Sequence, residues 1–108
     1  LVIVEGVFDA INAGGNIVPI LGSTLDEQHP LFQKIIEHNT TIYLALDHDA
    51  QKKEVTIARS LRAYGIDVYK INTKGYQDVG VMPRNIYHNR KKTAEIFTET
   101  SLLSHRLL

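Results

Sequence analysis

The chain has 108 residues, twelve basic and twelve acidic side chains and no cysteine, which suits one domain burying roughly two-thirds of the surface its unfolded form exposes. The missing cysteine excludes disulfides, thiolate zinc sites and cysteine nucleophiles. The balanced charge excludes nucleic-acid binding through bulk positive charge, so any such contact must come from local patches.

No apolar run approaches the roughly 18 residues of a membrane span, and Leu1-Val2-Ile3-Val4 lacks the basic flank and cleavage region of a signal peptide. A soluble protein is expected. A chain that starts on Leu1 within a strand pattern also reads as a piece of something longer.

Leu1 to Val4 is a continuous apolar run, as in a strand covered on both faces. Gly6 permits a tight turn into a buried helix carrying Val7, Phe8, Ala10 and Ile11, with Gly14-Gly15 as its stop. Ile17 to Leu21 predicts a second strand, and Pro19, lacking a donor, assigns it to a sheet edge. Ser23 with Asp26 resembles a capping box, and Pro30 suits the first turn of a helix holding Leu31, Phe32, Ile35 and Ile36, so a two-part helix is expected.

Thr41 to Leu46 predicts the third strand. Ala50 to Tyr64 predicts a helix with Ile57, Ala58, Leu61 and Tyr64 along one side and Gly65 as its stop. Ile66 to Ile71 is the fourth strand, followed by a polar loop, a helix opened by Pro83, and a last helix over residues 93–108. Strands alternating with helices imply an α/β, Rossmann-like parallel sheet flanked by helices.

Five carboxylates follow the apolar runs: Glu5 and Asp9, Asp47 and Asp49, and Asp78. Ligands of open parallel sheets bind beyond the carboxyl ends of the strands, where strand order reverses. For Glu5 and Asp47 to meet there, the first and third strands must be neighbours, giving the order 2-1-3-4. The acids then offer an all-oxygen set of the kind that Mg2+ or Mn2+ takes, and the repulsion between Asp47 and Asp49 invites a cation.

Each acid also has a structural reading. Asp49 can cap the following helix, Asp9 can complement a helix dipole, and Asp78 can be a loop acid. Lys52, Lys53, Arg59 and Arg62 fall on the helix that starts beside the acids, with Lys52 and Arg59 two turns apart on one side. They suit either a solvated face or a path for phosphates; Arg90-Lys91-Lys92 and the Ser23-Thr24 helix start share that ambiguity. None of the five histidines pairs with another ligand at zinc-like spacing, and Tyr43, Tyr64 and Tyr69 read as packing residues.

Val4-Glu5-Gly6-x-x-Asp9-Ala10, Leu21-Gly22-Ser23, Leu46-Asp47-x-Asp49-Ala50 and Gln77-Asp78 together resemble the Toprim domain of topoisomerases, bacterial and phage-type primases, nucleases and maturases. The likeness runs from Leu1 to about Met82, which would make 1–82 the catalytic core and 83–108 a helical extension of the same domain. The primase branch fits best, because Asp49 is followed by Ala50-Gln51-Lys52-Lys53 rather than by the further acids or Arg-Glu of topoisomerases. Two departures stand in the last segment: Gln77 replaces a lysine, and Val81 stands near where an acid is often found.

The resemblance implies Mg2+ or Mn2+ held by Glu5, Asp9, Asp47, Asp49 and Asp78, with Glu5, Asp47 and Asp49 catalytic and Glu5 assisting proton transfer. Lys52, Lys53 and Arg59 would meet nucleic acid or nucleotide. The implied activity is nucleotidyl transfer that makes RNA primers in DNA replication, with single-stranded DNA template, nucleoside triphosphates and a replicative helicase as partners, in the cytoplasm of a bacterial or phage-infected cell. Alternatives are a Toprim nuclease or maturase and a non-catalytic metal- or partner-binding module. A receiver-type phosphoacceptor domain places its paired acids after the first strand and one acid after the third, the reverse of this chain.

Overall fold

Short runs rich in Val, Ile and Leu pair into a single sheet. The computed structural model describes residues 1–6, 16–21 and 24–98. Within them lie β1 (Val2–Val4), β2 (Ile17–Pro19), α1 (Pro30–His38), β3 (Ile42–Ala45), α2 (Gln51–Ala63), β4 (Val68–Lys70), α3 (Arg84–Lys92) and β5 (Glu95–Ile96). Single 3-10 turns at His48–Ala50 and Val79–Val81 precede α2 and α3. The result is a small α/β protein with a mostly parallel sheet, Rossmann-like in general kind.

The sheet order is β2-β1-β3-β4-β5. The pairs β1·β2, β1·β3 and β3·β4 are parallel and β4·β5 is antiparallel. This corrects the expected four-stranded 2-1-3-4 sheet, and it corrects the purely helical extension beyond residue 83. Glu95 and Ile96 open no helix; they pair with Lys70 and Tyr69, and the Phe97 N–H donates to the Val68 carbonyl at 2.8 Å. The reason is that the outer edge of β4 carries backbone groups that need partners, while Phe97 finds a buried place in the core.

Strand alternation divides the core. Ile3, Ile42, Leu44, Leu46 and Val68 pack with Phe32 and Ile35 of α1 and with Ile57, Ala58 and Leu61 of α2. Val2, Val4 and Ala45 face the other way and pack with Ile71, Val79, Met82 and Tyr87 of α3. Both faces being covered explains the unbroken apolar character of β1.

Pro19 does stand in an edge strand: β2 is outermost, and the next donor, Ile20 N–H, bonds to the Val4 carbonyl at 3.0 Å. The two-part helix is corrected, since α1 starts only at Pro30. Asp26 forms a turn instead, its Oδ1 accepting from Gln28 N–H at 3.0 Å. His29 supplies the cap through Nδ1, which accepts from Leu31 N–H at 3.1 Å, with Pro30 in the first turn. The expected helix over Val7 to Ile11 with its Gly14-Gly15 stop, Gly22-Ser23, and the apolar positions Leu102, Leu103, Leu107 and Leu108 lie outside the described residues.

Candidate functional site

The pairing of β1 with β3 sets the geometry. Their register is Val2↔Tyr43, Ile3↔Leu44 and Val4↔Ala45, so the next residue of one strand is Glu5, and Asp47 follows two residues beyond Ala45 on its neighbour, across a strand spacing of about 4.8 Å. β2 holds the Glu5 backbone from the other side, the Glu5 carbonyl accepting Leu21 N–H at 2.9 Å. Leu21 takes a left-handed conformation, φ 52°, to make that turn.

Alternation then sends the two carboxylates to different sides of the sheet edge. Ile3 faces α2, and Glu5, two residues on, turns the same way and meets Lys53 of α2, with Nζ 3.1 Å from Oε1. The other oxygen, Glu5 Oε2, is shielded from solvent and has no hydrogen-bond partner among the described residues. Asp47, one step past the inward-facing Leu46, opens with Asp49, Tyr76 and Gln77 on a recess of about 360 Å³. Asp47 Oδ1 is likewise shielded from solvent.

Capping does not account for the Asp47-His48-Asp49 segment. Neither the 3-10 turn nor α2 receives a side-chain cap bond, and Ala50 occupies the N-cap position of α2. Asp78, by contrast, is a cap: its Oδ1 accepts from Val81 N–H at 3.2 Å and starts the 3-10 turn. Asp9 lies outside the described residues. Among the described residues no three acidic or histidine side chains gather closely enough to hold one metal ion, in keeping with the opposite turns of Glu5 and Asp47.

The basic residues also separate. Lys52 and Arg59 are exposed on α2, whereas Lys53 is part-buried against Glu5. Arg62 pairs with Asp67 at 3.3 Å. Arg90 clasps the loop that forms one wall of the recess: it donates to the carbonyls of Asn72 at 2.8 Å and Lys74 at 2.9 Å and lies over the Tyr76 ring, 5.8 Å from its centre. Tyr43 and Tyr69 stack across the β3·β4 pair with ring centres 5.1 Å apart, a packing role as expected.

Two residues that the sequence reading did not single out support the Asp47 segment. Glu54, in the first turn of α2, is buried; its Oε2 accepts from Leu46 N–H at 3.1 Å and its Oε1 pairs with the Lys70 ammonium of β4. The signal was present in the spacing. Glu54 falls on the same i, i+3, i+4, i+7 stripe as Ile57, Ala58 and Leu61, and a carboxylate on a buried stripe requires a partner cation.

Among the described residues no helix is long and apolar enough to cross a membrane. Comparison of the chain with protein-family models, with curated proteins and with solved structures finds no match in any of the three.

Proposed function

We propose that the acidic edge at the ends of β1 and β3 binds Mg2+ or Mn2+ for phosphodiester chemistry, and that the chain is a Toprim-type primase module transferring nucleotides to make RNA primers on single-stranded DNA. The observation that carries this reading is the direct parallel pairing of β1 with β3. It gives the Glu5 and Asp47 motifs adjacent strand ends, where open α/β sheets take their ligands.

The donor chemistry fits a hard divalent cation. The carboxylates of Glu5, Asp47, Asp49 and Asp78 offer oxygen alone, and Glu5 Oε2 is a shielded acceptor without a hydrogen-bond partner among the described residues. When bound, such an ion supplies charge neutralisation at the phosphate and activates the attacking hydroxyl. Asp47 and Asp49, which share the recess, would be its ligands there, and Glu5, on the α2 side of the edge, would take up the hydroxyl proton. Asp9 and Asp78 complete the proposed set. Lys52 and Arg59 offer charge to template or triphosphate, and Tyr76 and Gln77 wall the recess. A replicative helicase is the expected protein partner, in the cytoplasm of a bacterial or phage-infected cell.

One observation favours a second reading. The Lys53 ammonium already neutralises Glu5, as suits a module that binds a partner without reacting. The test is template-directed primer synthesis by the parent chain with nucleoside triphosphates and Mg2+. Asp47→Asn and Glu5→Gln are each expected to lower synthesis by about 100-fold or more; undiminished synthesis in both refutes the catalytic assignment. Cleavage of nucleic acid without triphosphates, lost in the same variants, replaces polymerisation with a nuclease or maturase.

A further inference from the structure

Glu54 is the most buried carboxylate among the described residues, its side chain 3% exposed, and the proposed chemistry does not use it. A buried charge is retained at a large desolvation cost unless each oxygen is occupied. Here both are. Oε1 takes the Lys70 ammonium, and Oε2 takes the N–H of Leu46, the peptide immediately before Asp47.

Those two bonds tie three elements together at one place: the start of α2, the end of β3 and the last residue of β4. β3 ends at Ala45, and it is Glu54 rather than a neighbouring strand that takes the Leu46 N–H. That bond holds the peptide immediately before Asp47, at the point where the chain leaves the sheet. Lys70 is the counter-ion of Glu54 and also lines a second recess with Asn72, Arg90, Thr93 and Glu95.

We infer that Glu54 is a positioning residue: with Lys70 as counter-ion, it clamps the Leu46 peptide and so aims Asp47 into the candidate site. The inference rests on the reading of Asp47 as a cation ligand. It goes beyond that reading in assigning the geometry of the edge to an ion pair on its far side.

The test uses the full chain, amide hydrogen exchange and Mn2+ binding followed by calorimetry. Glu54→Gln keeps the shape but sets an amide against an unneutralised ammonium. It is expected to speed exchange at Leu46 at least tenfold beyond any change at Leu44 and Leu61, and to weaken Mn2+ binding about tenfold. Adding Lys70→Met removes the ammonium and leaves the amide oxygen for Leu46 N–H, so both readouts should return to within about threefold of the parent. A purely structural Glu54 would accelerate all three amides together and leave Mn2+ affinity unchanged in the folded protein; that pattern, or no recovery in the double variant, overturns the inference. A parent chain that takes up no Mn2+ sinks the cation reading instead, and the exchange at Leu46 against Leu44 and Leu61 then decides the clamp separately.

Discussion

Replacing Lys53 with methionine separates the acidic edge as a cation site from the acidic edge as a structural pair. The ammonium lies 3.1 Å from Glu5 Oε1, with the two side chains 27% and 24% exposed. At that distance the bare attraction is roughly 1 to 5 kcal/mol for effective dielectric constants between 80 and 20. Solvent screening and the entropy of holding a long side chain reduce the net value to about 1 kcal/mol or less. Lys53→Met should therefore cost at most about 1 kcal/mol, near 4 °C in melting temperature for a chain of this size. The same quantity opposes any divalent cation at Glu5, because the ammonium occupies one oxygen and repels the ion. Mn2+ binding should tighten by about fivefold, the equivalent of about 1 kcal/mol. Calorimetric titration with MnCl2 at pH 7, beside thermal melts, reads both numbers. Unchanged or weaker Mn2+ affinity in a variant that melts within a few degrees of the parent would refute the idea that Lys53 and the cation compete for Glu5.

Two further outcomes test the frame around the site. Burial pushes the Tyr87 phenol above its ordinary value of 10.0. A raised folded value means that its contribution is complete below pH 10 and is lost as pH rises through the folded value, with a slope of up to about 1.4 kcal/mol per pH unit. Tyr87→Phe should flatten the alkaline fall in melting temperature, and superimposable alkaline curves would count against the burial of that hydroxyl. Gly75, in the loop leading to the recess, has φ 92° with open space where a Cβ would stand. Gly75→Ala should thus cost about 1 kcal/mol from backbone strain alone, measured by urea unfolding; a change below about 0.3 kcal/mol would mean that the loop relaxes freely.

Much of the frame was legible because it depends on local chemistry. The apolar runs at Leu1, Thr41 and Ile66, the edge placement forced by Pro19, and the helix between Ala50 and Tyr64 all follow from backbone donors and side-chain period. Residues 93 to 98 were misread because Ile96 and Phe97 form a short apolar pair compatible with either helix or strand. Only the unsatisfied edge of β4 decides between them. Ser23 and Asp26 misled for a related reason: Asp26 serves a turn as readily as a helix cap, and Pro30 with His29 makes the helix start later.

Residue type and period are enough to specify the class of fold and the chemistry available at its edge: alternating strands and helices, with carboxylates just past the strand ends. Which acids stand together was decided by tertiary structure. Pairing β1 directly with β3 brings Glu5 and Asp47 to adjacent ends, while the two-residue period of strands turns Glu5 toward Lys53 and leaves Asp47 and Asp49 on the recess with Tyr76 and Gln77. The role of Glu54 was decided there too, because burying a carboxylate requires both the Leu46 peptide and the Lys70 ammonium, and only folding brings β3, α2 and β4 to one point.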